Sequence, residues 1–158
     1  MINLANLNYK WDGYYVLNIF NRSLNRLVRR KIVQNTITDL AKTELAKSLL
    51  GLTPNLEIKY LAIGTGTAST SSGDTKLVNE VFRCADEGLE SIGNGVIQSS
   101  FTIYTTDYNG AVEEVGIFGG TSAAGTVDTG TLISRILLHE TKSAEDDWYF
   151  QRLDILGG

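Results

Sequence analysis

The chain holds one histidine and one cysteine, so catalysis built on an imidazole base or a thiolate must use His139 or Cys84. His139 precedes Glu140, which suggests a general base oriented by a carboxylate. Both fall in Ile136-Leu137-Leu138-His139-Glu140, a stretch that reads as a strand, and neighbours in a strand point to opposite faces. A strand histidine without a catalytic role is the expectation. Cys84 follows Arg83, whose charge would lower a thiol pKa, but a small buried apolar side chain is the reading expected for it. One Cys and one His cannot supply the usual four ligands of zinc. Glu145-Asp146-Asp147 and Asp86-Glu87 offer oxygen ligands for calcium, yet neither follows the spacing of a calcium loop, and both read as solvated turns. Glu113-Glu114 and Asp146-Asp147 are poor facing pairs for glycoside hydrolysis, because adjacent strand residues diverge. Gly64-Thr65-Gly66 follows an apolar run, but Ser69 stands where a dinucleotide fingerprint needs its third glycine, and the Lys-Ser or Lys-Thr of a phosphate loop is missing. A tight turn requiring positive φ is expected there. The sequence therefore predicts a protein without catalytic residues, cofactor or metal.

Charge is distributed unevenly. Residues 1–34 carry six basic side chains against one acid, whereas the remainder carries eight against seventeen, within a chain of net charge −4 and pI near 5.0. Arg26, Arg29, Arg30 and Lys31 concentrate this charge and form the candidate assembly surface. DNA phosphate is one possible target. Protein contact is the preferred one, because the chain is acidic overall and Tyr14, Tyr15 and Phe20 precede the arginines without interleaving with them. Since the rest of the chain is acidic, another copy of itself is an economical partner.

The elements that must position these groups are mostly strands. Tyr14 to Phe20 and Leu27 to Val33 are rich in aromatic and β-branched residues around the polar turn Asn21-Arg22-Ser23-Leu24-Asn25, which predicts a hairpin. Asn21-Arg22-Ser23 matches a glycosylation acceptor, an accidental match without a secretory signal. From Asp39 to Leu50, Ala41, Leu45 and Leu49 recur every four residues, which predicts a single helix near 39–50, capped by Thr38 or Asp39 and stopped by Gly51 and Pro54. Thr75 to Val81 is a candidate for a short helical turn. Further strands are expected at Leu56–Ile63, Val81–Cys84, Glu90–Ile92, Val96–Tyr104, Val112–Phe118, Thr131–Thr141 and Trp148–Leu156. Asn94-Gly95 marks a hairpin turn, the loop Ala68–Gly73 is small, polar and expected to be exposed and mobile, and Gly119 to Gly130 reads as a long Gly/Ser/Thr/Ala-rich loop.

Short strands at intervals of about ten residues predict a mainly β fold: an antiparallel β-sandwich-like domain with one α-helix and an N-terminal β-hairpin. The expected organisation is a basic docking arm over 1–37 and a β-rich domain over 38–158. Apolar runs fall far short of the roughly 20 residues that span a bilayer, so no membrane association is expected. Met1 to Asn6 lacks the pattern of a secretory signal, and a lone cysteine suits a reducing cytoplasm.

The order of several motifs carries a resemblance. Leu61-Ala62-Ile63-Gly64-Thr65-Gly66-Thr67, a Ser/Thr-rich loop, Asp74-Thr75-Lys76-Leu77, Asn79-Glu80-Val81-Phe82-Arg83, Glu113-Glu114-Val115-Gly116-Ile117-Phe118 and Leu132-Ile133-Ser134-Arg135 resemble small virion structural proteins of tailed bacteriophages, from tails, tail fibres and baseplates. The resemblance covers roughly Thr38 to Leu156, and the N-terminal hairpin departs from it. It implies a non-enzymatic, oligomeric component of a particle, found in the virion and in the host cytoplasm during assembly. Its partners would be copies of itself in a ring or trimer and other virion structural proteins. Glu80, Arg83, Glu114 and Arg135 sit beside apolar residues and are candidate structural ion pairs that register loops. The alternative expectation is a host-surface glycan-binding module that stacks sugars on Trp11, Tyr108 or Trp148.

Overall fold

The computed structural model of the chain describes residues 10–52 and 56–157. It is mainly β, with two antiparallel sheets packed face to face and one helix. The first sheet contains β1 (Trp11–Asn21), β2 (Arg26–Gln34), β6 (Gly88–Gly93), β7 (Val96–Ile103) and β10 (Asp146–Leu156), in the order β2-β1-β10-β7-β6. The second contains β3 (Thr36–Ile37), β4 (Ile58–Gly64), β5 (Glu80–Ala85), β8 (Gly110–Gly119) and β9 (Thr131–Lys142), in the order β3-β9-β8-β4-β5.

Period-two patterning explains the packing. In β10, Trp148, Phe150, Arg152 and Asp154 are buried, while the alternate residues Tyr149, Gln151 and Ile155 are exposed. Tyr15, Leu17 and Ile19 of β1 and Phe101 and Ile103 of β7 complete the inner face of this sheet. Leu61 and Ile63 of β4, Val115 and Ile117 of β8 and Ile133 of β9 meet them from the other sheet. The second sheet is covered on its outer face as well: Leu77, from the loop between β4 and β5, packs with Ala62, Phe118 and Leu132.

The N-terminal hairpin is present, with Asn25 in the left-handed region of its turn at φ 48°. It is not a detached arm. β1 pairs with β10 along its whole length, from Trp11 opposite Leu156 to Asn21 opposite Asp146, and its inner residues belong to the shared core. The expected division near residue 37 is corrected accordingly: β1 lies inside its sheet, β2 and the short β3 lie at sheet edges, and residues 1–9 of the expected arm lie outside the described residues.

The helix α1 (Asp39–Leu49) begins where the Thr38 hydroxyl accepts from the Ala41 amide at 3.1 Å and donates to the Leu132 carbonyl of β9 at 2.6 Å. It ends in a glycine cap. The Gly51 amide donates to Ser48, the Leu52 amide donates to Lys47, and Gly51 takes φ 70°. Pro54, the other expected stop signal, lies outside the described residues. Only the first part of the apolar stripe is used: Ala41 is fully buried, whereas Leu49 is 82% exposed. Thr75 to Val81 forms no helical turn, because the Val78 and Asn79 amides turn to a carboxylate and Glu80 opens β5. No described helix is long and apolar enough to cross a membrane.

Candidate functional site

The four residues of the basic cluster lie on β2, an edge strand paired on one side only. Alternation divides them. Arg29 and Lys31 stand opposite Ile19 and Leu17 and turn toward the second sheet, where Glu140 of β9 meets Arg29 at 3.0 Å and Lys31 at 3.2 Å. Lys31 Nζ also donates to the Leu138 carbonyl. Arg30, opposite Asn18, turns outward, and Arg26 stands at the start of the strand. Both are exposed, and among the described residues no carboxylate lies within ion-pair distance of either. Around them Leu27, Val28 and Ile32 are also exposed, Ile32 by 62%. The strand therefore presents cationic and apolar side chains beside a row of backbone groups that no other described strand pairs.

The candidate ion-pair residues form two separate constellations on the outer side of the second sheet. The Arg83 guanidinium meets the Glu80 carboxylate in a two-pronged pair, with 2.5 Å to Oε1 and 2.7 Å to Oε2. Arg83 also donates to the carbonyls of Ala124 and Thr129 and lies 4.6 Å above the Phe118 ring. Glu80 in turn accepts the Asp128 amide at 3.0 Å. This pair clamps the glycine-rich loop between β8 and β9. In the second constellation, the fully buried Glu114 accepts from the amides of Gly66, Val78 and Asn79 and from Arg135 Nε at 2.8 Å. Arg135 extends the network to Asp74 at 3.0 Å and to the carbonyls of Ala68 and Ser69. The Ser/Thr-rich loop, expected to be free, is thus tied to the sheet, and Ser72 bonds both the amide and the carboxylate of Asp39 at the helix start.

Gly64 and Gly66 serve this network through proximity, correcting the expectation of positive φ: neither adopts it. A β-carbon on either glycine would stand 2.5 Å from Glu114 Oε1. The glycines let the chain approach the buried carboxylate closely enough for its amide to be bonded.

A third buried pair was not anticipated. Arg152 and Asp154 are both inward on β10 and form a two-pronged ion pair, with Arg152 Nε donating to Asp154 Oδ2 at 2.7 Å. Trp11 Nε1 donates to Asp154 at 2.7 Å, while Arg152 reaches the Tyr15 and Ser134 hydroxyls and so ties the sheets together. The available signal was their period-two alignment with Trp148 and Phe150, which placed both on the buried face.

The remaining reactive groups are dispersed. His139 lies at a bulge with φ 54°, and its Nδ1 sits 2.5 Å from Glu113, not from Glu140. Among the described residues no hydroxyl or thiol is hydrogen-bonded to its ring. Burial, with smaller contributions from Glu87 and Asp107, pushes the Cys84 thiol up to about 12, opposite to the effect expected from Arg83, whose side chain is committed to Glu80. Asp147 accepts from Arg22 and the Thr105 amide; Asp146 accepts from Asn21 and Ser143. Of the candidate sugar platforms, Trp148 is fully buried and packs edge-on against Phe150, Trp11 is half-buried, and the Tyr108 hydroxyl donates to Ala111. No protein-family model matches the chain, and neither a curated protein nor a solved structure does.

Proposed function

We propose that the chain is a non-enzymatic structural subunit of a tailed-phage or phage-derived particle, assembling in the tail, tail-fibre attachment, baseplate or neck with copies of itself and other virion proteins. The observation that carries the assembly reading is the open edge of β2, where Arg26 and Arg30 have no acidic partner among the described residues and stand among exposed Leu27, Val28 and Ile32. An edge with unpaired backbone groups and unneutralised charge favours a complementary protein surface. The two Glu-Arg clamps support the same reading. They hold long loops against the sheet, so that a subunit offers a preformed shape and little ordering entropy is lost on contact. The motif order from Leu61 to Arg135 supplies the link to phage virion proteins.

The glycan-binding alternative loses Trp148 as a platform to the core. An antibody against the purified chain, applied to tailed particles from a host that carries the gene, tests the proposal. Decoration at a fixed position on the tail or neck, with the chain present in many copies per particle, is the expected result. Purified particles that lack the chain while the host expresses it would refute the assignment.

A further inference from the structure

The first sheet has two open edges of opposite charge. At one end is β2; at the other is β6, whose six residues are all exposed and which has no strand beyond it among the described residues. The β6 edge carries Glu90 and, on the chain leading into it, Asp86 and Glu87. Leu89 and Ile92 are exposed there, by 41% and 52%, and match the exposed aliphatics of β2 in kind.

Strand direction and register make the two edges fit. All four neighbouring pairs in this sheet are antiparallel, so its first and fifth strands, β2 and β6, run in the same direction. Side-chain rows cross the sheet from edge to edge. One runs from Arg30 through Asn18 and Tyr149 to Thr102, whose hydroxyl donates to Glu87 at 2.7 Å. Another runs from Gln34 through Tyr14, Leu153 and Gln98 to Glu90. Arg30 thus stands at one edge of this row, and Glu87, on the chain leading into β6, is bonded to its last residue near the other edge.

We infer that copies of this chain associate head to tail through the first sheet, β2 of one copy lying parallel to β6 of the next, with Arg30 facing Glu87. This rests on the self-assembly reading and names its interface. A two-fold arrangement would set β2 against β2, or β6 against β6, and so oppose like charges, whereas the head-to-tail arrangement opposes unlike ones. Where the sheet of one copy continues into the next without slip, each row continues into the next subunit and Arg30 arrives beside Glu87. The charges that guard each edge against its own kind admit the other edge. Leu27, Val28 and Ile32 are then covered together with Leu89 and Ile92.

The full chain and two charge-reversed variants, R26E/R30E and E87K/E90K, test this in sedimentation experiments over a range of concentrations. All four positions are exposed. The wild type is expected to form larger species as concentration rises. Each variant alone should remain monomeric while still unfolding in a cooperative thermal transition, and an equimolar mixture of the two should regain assembly, because each junction between unlike variants is again complementary. The neutral variant R26Q/R30Q, which loses charge alone, should weaken association at least tenfold. Wild-type association by R26E/R30E or by R26Q/R30Q overturns this interface and leaves self-assembly standing. Two folded, monomeric variants that do not recover on mixing also overturn it. A wild type that stays monomeric at every concentration overturns both this interface and the self-assembly reading.

Discussion

The charged residues inside this protein act as fasteners between segments remote in sequence. Arg83 joins β5 to the loop after β8, Arg135 joins β9 to the loop after β4, and Arg152 joins β10 to β1 and β9. A buried pair contributes little net stability compared with a well-packed apolar replacement of both partners, but removing one partner strands the other. Arg83→Met should therefore cost about 3 kcal/mol, a fall in melting temperature of about 6–12 °C for a chain of this size, because Glu80 would keep only the Asp128 amide. An unchanged melting temperature would remove the clamp from the account. Cys84 gives a prediction of a different kind. Its folded-state pKa is raised to about 12 by burial, so the folded protein holds the thiol proton across the range in which the unfolded chain releases it. The stability that this contributes is complete below the unfolded value near 9 and is lost as pH rises through about 12. Alkylation of Cys84 at pH 8 should be slow in the native protein and fast in urea, and Cys84→Ser should flatten the decline of stability at alkaline pH. Equal alkylation rates in the two states would contradict this environment. The paired-residue candidates Glu80, Arg83, Glu114 and Arg135 were legible because each polar residue interrupts an apolar stretch. Which acid meets which base was not, since that depends on loops folding back over a sheet.

At the scale of elements, local chemistry was the better guide. Asn94 and Gly95 both take positive φ, at 50° and 74°, in the turn between β6 and β7, as an Asn-Gly pair in a two-residue hairpin requires. The helix starts at its threonine cap and stops at its glycine cap. Thr38→Ala should cost about 1–2 kcal/mol, because the hydroxyl both caps the helix and bonds the Leu132 carbonyl. Thr38→Ser should recover most of that in denaturant titration, whereas equal losses for both variants would deny the hydroxyl its role. Leu49→Lys should change stability by less than about 0.5 kcal/mol, since the side chain is already in solvent. The apolar period of this helix was read correctly but says nothing about how far along its length the sheet supports it. Gly64 and Gly66 make the same point: glycine at these positions was visible, but its reason, the Glu114 carboxylate beneath, comes from a strand some fifty residues later.

For the whole molecule, the decisive feature is that the last strand lies between the first strand and β7. Truncation before β10 would separate β1 and β2 from the rest of their sheet and remove Trp148, Phe150 and Arg152 from the core. Such a chain should not fold at all, giving no cooperative thermal transition and strong binding of a hydrophobic dye, whereas a cooperative transition would show that the remaining strands suffice. The same topology means that the first sheet is not complete until β1 and β10, remote in sequence, have met, so folding should be slow, on the order of milliseconds to seconds. The basic segment near the N-terminus is an edge of this closed construction. A charge reversal there is informative at Arg26 and Arg30, while at Arg29 and Lys31 it would also break the contacts with Glu140.

By itself, the sequence determined the β character, the hairpins and the single helix with both caps. These follow from φ preferences, capping and side-chain period, which operate within a few residues. Tertiary structure decided the strand order, the sharing of β1 between hairpin and core, the partners of Glu114 and Arg152, and the placing of basic and acidic edges at opposite ends of one sheet. Those depend on which distant strands pair, and backbone hydrogen bonding is the same for every candidate pairing. The choice among pairings comes from burying all inner faces together.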